Sequence, residues 1–351
     1  MDMKKNDKIY IAGHRGLVGS AILRKLKDNG YENLIYKTHS ELDLTDQSAV
    51  KFFFEKEKPD FVFLCAAKLG GMDAHRKFRA EFIYDNLQIQ NNVIHQSYIN
   101  NVKKLLFISS TSVYPEHASL PIKEECLLSG KLQYLHEPYA IAKIAGMKMC
   151  EAYSDRYGVN FISVCPTTLY GPNDNFDIES ANVVSALMRK IYLAKLLKEK
   201  RYDLVLKDLE IDDIDKAKNY LDILGVKENS IEIWGSGNPK REFLYSDDLA
   251  NACIHIMQNI NIEHINKIDR DNPHINIGPE KNYSIKELAY LLKTVIQFEG
   301  EFRYNLSKPD GTYEKLTCCD KIKQMNWQAY TKLEDGIRST FHWYKSNKGL
   351  I

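Results

Sequence analysis

Ile9-Tyr-Ile-Ala-Gly13-His-Arg-Gly16-Leu-Val-Gly19-Ser-Ala-Ile-Leu23 is a short apolar run that breaks on a glycine and resumes as an amphipathic helix. The apolar run reads as a strand, and Gly13, Gly16 and Gly19 as the turn that carries it into a helix. Glycines at such a turn permit tight backbone geometry and let a diphosphate approach the N–H groups at the helix N-terminus. A glycine triplet alone also fits a plain structural turn. The strand before it and the helix after it favour the dinucleotide reading.

Outward from this stretch the pattern repeats. Leu34–Tyr36, Phe61–Ala67, Leu105–Ser109 and Phe161–Cys165 read as strands, separated by amphipathic stretches near 17–29, 46–57, 78–100 and 139–157. That alternation predicts an α/β fold: a Rossmann-type, doubly wound parallel sheet with helices on both faces. After Pro166 the rhythm breaks at Thr167-Thr-Leu-Tyr-Gly171-Pro172-Asn-Asp-Asn, which reads as loop. Strands are expected at Ile231–Trp234 and His274–Ile277, with helices near 246–259, 284–296 and 333–346. The expected division is a nucleotide-binding domain over 1–166, with returning segments near 235–260, and a smaller α/β lobe over 167–351. Within that lobe, residues 192–230 are dense in charge and read as a solvated helical excursion, or else as a lid or subunit contact.

Bulk properties remove several function classes. At 351 residues with a net charge of +1, the chain has no electrostatic footprint for nucleic acid or an anionic membrane. Seven cysteines occur with no C-x-x-C pair, scattered through apolar segments, which suits buried thiols in a reducing compartment. The N-terminal residues carry no apolar stretch of signal-peptide length, and no segment approaches the ~20 apolar residues of a membrane span. A cytoplasmic enzyme that needs no metal is the expectation.

The choice of dinucleotide is a matter of charge after the second strand. An acidic residue there would bond the ribose 2′-hydroxyl of NAD. This chain has Lys37-Thr-His39 instead, with Arg15 inside the glycine turn. Two cations suit the 2′-phosphate of NADPH. Glu41 and Asp43 come slightly late, and Asp43-Leu44 is placed to touch the adenine.

Tyr139-Ala-Ile-Ala-Lys143 supplies the chemistry. A tyrosine four residues before a lysine puts both side chains on one helical face, where the ammonium can lower the phenol's pKa. Tyr304/Lys308 and Tyr344/Lys348 share the spacing, but only the first pair follows a hydroxyl-rich strand end, Ile108-Ser-Ser110-Thr. Hydride delivery to a ketone requires a proton donor at the oxygen, a role for Tyr139. Lys143 would hold the ribose. Ser110 would bond the same oxygen, with Thr111 and Ser112 as rivals.

Together with these stretches, Ala66-Ala-Lys-Leu-Gly-Gly71, Glu137-Pro-Tyr-Ala-Ile-Ala-Lys-Ile-Ala-Gly146 and Leu169-Tyr-Gly-Pro-Asn-Asp-Asn-Phe176 closely resemble the GDP-L-fucose synthase family. So do Trp234-Gly-Ser-Gly237, Arg241-Glu-Phe-Leu244 and Ser307-Lys-Pro-Asp-Gly-Thr312. These are extended short-chain dehydrogenases/reductases, for which G-x-x-G-x-x-G is a known spacing. The resemblance spans nearly the whole chain apart from residues around 195–228. It implies a homodimer whose smaller lobe binds a GDP-linked 4-ketosugar, and it makes Ser110, Tyr139 and Lys143 the reductase triad. It adds Leu17, Val18, Ala66, Ala67, Pro166 and Leu169 to the cofactor contacts. Lys190, Trp234, Arg241 and Asp310 fall where the family holds the sugar nucleotide, with Lys308 a neighbouring cation.

The chain departs from the family at the residues for its second activity. Epimerisation at C3 and C5 needs two titratable groups, a cysteine in Ser-Ser-Cys-(Ile/Val)-Tyr-Pro and a histidine after the Gly-Pro-x-Asp-Asn-Phe loop. Here those positions hold Ser112 and Asn182. A hydroxyl is a far weaker acid than a thiol, and an amide has no proton to exchange in this range. Asp177, Glu179 and His117 are nearby substitutes. A further departure is Thr168, where the family commonly has asparagine. The expected function is NADPH-dependent C4 reduction of a GDP-4-ketosugar without epimerisation. A GDP-4-keto-heptose, with or without its 6-deoxy group, in capsule or lipopolysaccharide sugar synthesis is the leading substrate by family analogy. The alternatives are a bifunctional GDP-L-fucose synthase and a non-catalytic nucleotide-sugar-binding protein.

Overall fold

Strands in the computed structural model are β1 (Ile9–Ala12), β2 (Leu34–Ile35), β3 (Phe61–Leu64), β4 (Lys104–Ile108), β5 (Phe161–Pro166), β6 (Thr168–Tyr170), β7 (Val226–Lys227), β8 (Ser230–Trp234), β9 (Lys240–Tyr245), β10 (His274–Ile277), β11 (Asn282–Ser284) and β12 (Glu301–Asn305). Helices are α1 (Leu17–Asp28), α2 (Gln47–Glu57), α3 (Met72–Lys77), α4 (Arg79–Ile99), α5 (Glu137–Tyr157), α6 (Val183–Lys198), α7 (Tyr202–Leu209), α8 (Ile214–Ile223), α9 (Ser246–Asn259), α10 (Ile262–Ile268), α11 (Ile285–Ile296), α12 (Asp320–Gln324) and α13 (Leu333–Lys348). The structure describes residues 3–308 and 310–350, with the backbone alone at Met72 and Asp73. Pro309, in the Ser307–Thr312 motif, lies outside the described residues.

The central sheet runs in the order β2-β1-β3-β4-β5-β10, and every pairing in it is parallel. All residues of β1, β3, β4, β5 and β10 are buried, which is why these strands read as continuous apolar runs rather than alternating ones. One face packs on Ile22 and Leu26 of α1 and Leu249, Cys253 and Met257 of α9. The other packs on Phe54 of α2, Val93 and Ile94 of α4, and Met147 of α5. Strand order reverses between β1 and β3, so the carboxyl ends of these two strands form the switch point where nucleotides bind in such sheets.

A buried cation opens β4. Lys104 is fully buried, and its ammonium donates to the carbonyls of Ile256, Met257 and Ile260 at 3.3, 2.9 and 2.7 Å. These are carbonyls at the end of α9 and just beyond, where the helix lacks further amides and its dipole favours positive charge. The lysine therefore replaces its lost water with helix-end oxygens.

The chain divides into two compact units. The first comprises Met1–Leu169, Leu244–Glu280 and Leu316–Tyr330; the second comprises Tyr170–Phe243, Lys281–Lys315 and Thr331–Ile351. Within the second, β8 pairs parallel with β12 and antiparallel with β7.

Two readings from sequence are corrected here. The segment after Pro166 is not all loop, since Thr168–Tyr170 forms β6. Nor is 192–230 a solvated excursion. Leu193, Leu196 and Leu197 of α6, Val205 of α7, and Ala217 and Leu221 of α8 are buried. Arg189 Nε meets the buried Asp208 carboxylate at 2.8 Å, and the Tyr344 hydroxyl donates to the same group. The charges occupy outer faces, while apolar residues at helical spacing build part of the second unit's core.

Gly146 on α5 lies against β4 and α4. An added Cβ there would stand 2.5 Å from Phe107 Cζ and 2.8 Å from Gln90 Oε1. Gly146→Ala is expected to cost about 1–3 kcal/mol, the usual penalty for overpacking a filled core. Urea unfolding should show a lower midpoint with an unchanged slope.

Candidate active site

The glycine turn leaves β1 with Gly13 at φ +87°, and a Cβ on Gly13 would lie 2.7 Å from the Ala66 amide nitrogen. At Gly19 a Cβ would meet the Gly13 carbonyl oxygen at 2.2 Å, so helix and strand end touch backbone to backbone. Gly16 differs: a Cβ there would find only the Gly13 oxygen, at 3.6 Å. No side chain caps α1 at Gly16, and the amides of its first turn, at Leu17 and Val18, lack intrahelical partners. Ala66 and Ala67 follow the end of β3 beside this turn, and Pro166 ends β5. An uncapped helix start beside an open glycine is a cradle for an anion, and it fits a dinucleotide's diphosphate.

Cations cluster beyond the turn. Arg15 is exposed and makes no ion pair among the described residues. Lys37 lies 3.8 Å from Glu41, whose carboxylate also accepts from the Thr38 amide and hydroxyl. These Thr38 bonds hold Glu41 below its ordinary pKa. The His14 ring lies tilted at 37° against Tyr36 with centroids 4.7 Å apart, and its buried Nδ1 has no partner among the described residues. Burial and the neighbouring Arg15 lower the His14 pKa, so the imidazole is neutral near pH 7. The sequence reading passed over His14 and Tyr36, although the position of His14 inside the glycine turn marks it. Asp43 Oδ1 accepts from the Thr45 amide at 2.9 Å and hydroxyl at 2.8 Å, and Leu44 is buried.

On the other side of the sheet's carboxyl end, α5 packs against the 3-10 turn Thr111–Val113. This brings Tyr139 and Lys143 to the segment holding Ser110. Both α5 side chains are buried. Lys143 Nζ donates to the Ile108 carbonyl at 2.8 Å and lies 5.8 Å from the centre of the Tyr139 ring. Here the structure corrects the expected electrostatics. Burial raises the Tyr139 phenol rather than lowering it, and burial brings Lys143 down to about 8. Desolvation outweighs the attraction between the two groups because the ammonium is aimed at a backbone carbonyl and not at the phenol oxygen. The Cys65 and Cys165 thiols near Lys143 are pushed up to about 12 by burial and stay protonated. His75 lies 5.8 Å from the Tyr139 ring and 4.5 Å from that of His136, with its buried Nδ1 unpartnered. Burial lowers His75 to about 4. No motif in the sequence singles it out.

In the second unit, Lys308 and Lys190 flank the half-exposed Trp234, at 5.0 and 6.0 Å from its ring. Lys190 also donates to the Leu224 carbonyl at 2.9 Å, and burial lowers its pKa. Asp310 accepts from the Ser236 amide and hydroxyl at 2.8 and 2.7 Å. A side chain at Gly235 would strike the Asp310 carboxylate, which accounts for glycine there. Arg241 joins the same segment through the Thr312 carbonyl at 2.6 Å. The five candidate sugar-nucleotide residues thus share one unit, and four of them share two short stretches, 234–241 and 308–312.

At the two positions where the resemblance expects a thiol and an imidazole, the Ser112 hydroxyl donates to Ser110 Oγ at 3.1 Å. Asn182 is exposed at the start of α6 and makes no capping bond. Of the nearby substitutes, Asp177 is engaged by the Ser180 amide and hydroxyl at 2.9 and 2.7 Å, and Glu179 by the Tyr220 hydroxyl at 3.0 Å. His117 is exposed.

A family model for the NAD dependent epimerase/dehydratase family matches residues 9–278. GDP-L-fucose synthase 1 of Arabidopsis thaliana is 45% identical over 345 residues, spanning 98% of this chain and 94% of that protein. Among solved structures, a GDP-6-OMe-4-keto-L-xylo-heptose reductase from Campylobacter jejuni superposes with a TM-score of 0.96 at 46% identity, covering 99% of this chain and all of that one. A GDP-mannoheptose C4 reductase from Campylobacter jejuni with NADP bound gives 0.88 at 46% identity, over 98% of this chain and 99% of that one.

Arg15, with no acidic partner among the described residues, and Lys37, shared with Glu41, are the cations expected from the sequence to meet a 2′-phosphate. Replacing both with alanine is expected to raise KM for NADPH at least tenfold more than KM for NADH, since only NADPH carries that group. Steady-state kinetics with both cofactors measures this. An equal effect on the two would contradict the charge assignment.

Proposed function

The chain belongs to the NAD dependent epimerase/dehydratase family and to its GDP-L-fucose synthase group, and from that premise we propose a C4 reductase of a GDP-4-ketosugar that has lost C3/C5 epimerisation. It is an NADPH-dependent oxidoreductase. The proposed substrate is a GDP-4-keto-heptose, with or without its 6-deoxy group, and the proposed setting is capsule or lipopolysaccharide sugar synthesis in the cytoplasm. One observation carries the reading: Ser110, Tyr139 and Lys143 are retained while both epimerase positions hold groups that cannot exchange protons near neutral pH. Likeness to two heptose reductases at 46% identity supports the sugar. A homodimer belongs to the reading, with α4 and α5 exposing Tyr84, Ile99, Ile141 and Tyr157.

The residues divide the work as follows. Gly13 to Gly19 would cradle the diphosphate, and Arg15 and Lys37 the 2′-phosphate. Asp43, Leu44, Ala66, Ala67, Pro166 and Leu169 would border the cofactor, which when bound supplies the hydride. Lys190, Trp234, Arg241, Lys308 and Asp310 would hold the GDP-sugar. As the carbonyl carbon is reduced, its oxygen gains charge and takes the Tyr139 proton, later replaced from solvent. The raised phenol keeps that proton until the oxygen's basicity rises. Lys143, cationic below about pH 8, offsets the charge left on the phenolate.

Two outcomes follow. Lys143 must carry its charge and loses it as pH rises through about 8, while the raised Tyr139 stays protonated. The kcat/KM for NADPH, which reports on the free enzyme, is therefore expected to fall roughly tenfold per pH unit above that point. In D₂O, GDP-4-keto-6-deoxy-mannose or a heptose counterpart should gain no deuterium at C3 or C5 by NMR, while a ketosugar already processed by an epimerase is reduced. Exchange at a rate comparable to turnover would point instead to a bifunctional fucose synthase. Absence of turnover with any GDP-4-ketosugar would point to a binding protein.

A further inference from the structure

Ser112 stands where the resemblance expects a thiol, and the hydrogen bonds around it point to a second role. Ser110 follows the end of β4 in extended backbone (φ −163°, ψ 152°), with its side chain turned onto the next 3-10 turn. Its Oγ accepts from the Ser112 amide at 3.2 Å and from the Ser112 hydroxyl at 3.1 Å. A hydroxyl has one proton and two lone pairs. Both lone pairs of Ser110 are thus engaged, and its own proton has no acceptor among the described residues.

We propose that Ser112 is a positioning residue for the reduction: by filling the acceptor sites of Ser110, it leaves the Ser110 proton as that group's only free valence, directed at the substrate carbonyl. The inference rests on the reductase reading above. A serine with a free lone pair divides its time between donating and accepting. A ketone oxygen can only accept, and it needs donors fixed before charge develops on it. The amide bond alone is an ordinary cap of a short turn and occupies one lone pair. The second hydroxyl removes the remaining freedom. A thiol at 112 is a weak donor and would leave that site loosely filled.

The surrounding turn is built to hold this geometry. Val113 and Tyr114 are buried, and the Val113 amide donates to the Ser110 carbonyl at 3.2 Å. The Tyr114 hydroxyl donates to Asn276 Oδ1 at 2.6 Å on β10 and lies 3.0 Å from His274 Nε2. Asn276 Nδ2 in turn donates to the Ile122 carbonyl at 3.1 Å, and its backbone amide donates to Glu124 Oε1 at 3.0 Å. The two serines therefore sit on backbone clamped to the edge of the central sheet.

The test uses single-turnover reduction of an epimerase-treated GDP-4-ketosugar, so that product release does not mask chemistry, with KM from steady state. Ser112→Ala is expected to slow reduction roughly ten- to hundredfold with KM within about twofold, below the about 10²–10³-fold loss from deleting an oxyanion donor outright. Ser112→Thr, which keeps the hydroxyl, should restore most of the rate, and Ser112→Cys should not. Ser110→Ala with Ser112→Ala should be no slower than Ser110→Ala alone, because Ser112 acts only through Ser110. An unchanged rate in Ser112→Ala, or losses that multiply in the double variant, would overturn the proposal. Should Ser112→Ala fail to fold, the comparison of Ser112→Cys with Ser112→Thr decides, and equal rates would overturn it. Tyr139→Phe tests the underlying reading separately: a variant that keeps most of its rate, or a wild type without turnover, overturns the reductase assignment itself.

Discussion

The contact between Gly19 and the Gly13 carbonyl is the constraint on which the first unit turns. With no room for a Cβ, α1 begins where β1 ends and lies directly on its backbone. That approach leaves the first turn of the helix uncapped and facing the switch point between β1 and β3. A side chain at Gly19 would push the helix off the strand, and one at Gly13 would strike the backbone of Cys65 and Ala66 just after β3. Strands β3, β4 and β5, all buried, then hold Ala66, Ser110 and Pro166 at the carboxyl end of the sheet.

Burial does the second part of the work, and it acts on charge. Lys104 and Lys143 are both buried lysines, yet they differ. Lys104 is surrounded by three carbonyls at the end of α9, a structural replacement for water. Lys143 has a single carbonyl and a ring face, so desolvation brings it down to about 8. Its charge is therefore conditional on pH. The same desolvation keeps Tyr139 protonated.

The turn after β4 shows how one atom type changes the use of a site. With a hydroxyl at 112, Ser110 is locked as a donor. In the loop leading to α6, Asp177 accepts from Ser180 and Glu179 from Tyr220, while Asp174, which accepts from Ser185, is raised to about 6 by burial.

Much of this was legible in the linear sequence, because it depends on local chemistry. Apolar runs between helical patterns marked the central strands and most helices of the first unit within a residue or two, except that β3 was read to Ala67 and ends at Leu64. Glycine spacing marked the turn, and Tyr139 with Lys143 marked one helical face. The short strands β6, β7, β9, β11 and β12 were missed, since none carries a long apolar run and each is defined by its partner. The charge of residues 192–230 misled for a related reason. Composition cannot say which face of a helix is covered, and only packing decides it: α7 is tied to Arg189 and Tyr344 through Asp208, and α8 lies against α7 and β7. The sequence by itself determined the residue types at the candidate site, and with them the class of reaction. Only the tertiary structure decided their protonation and direction: whether Lys143 faces the phenol or a carbonyl, and whether Ser110 donates or accepts. Those depend on desolvation and on distances between groups far apart in the chain, which no local pattern encodes.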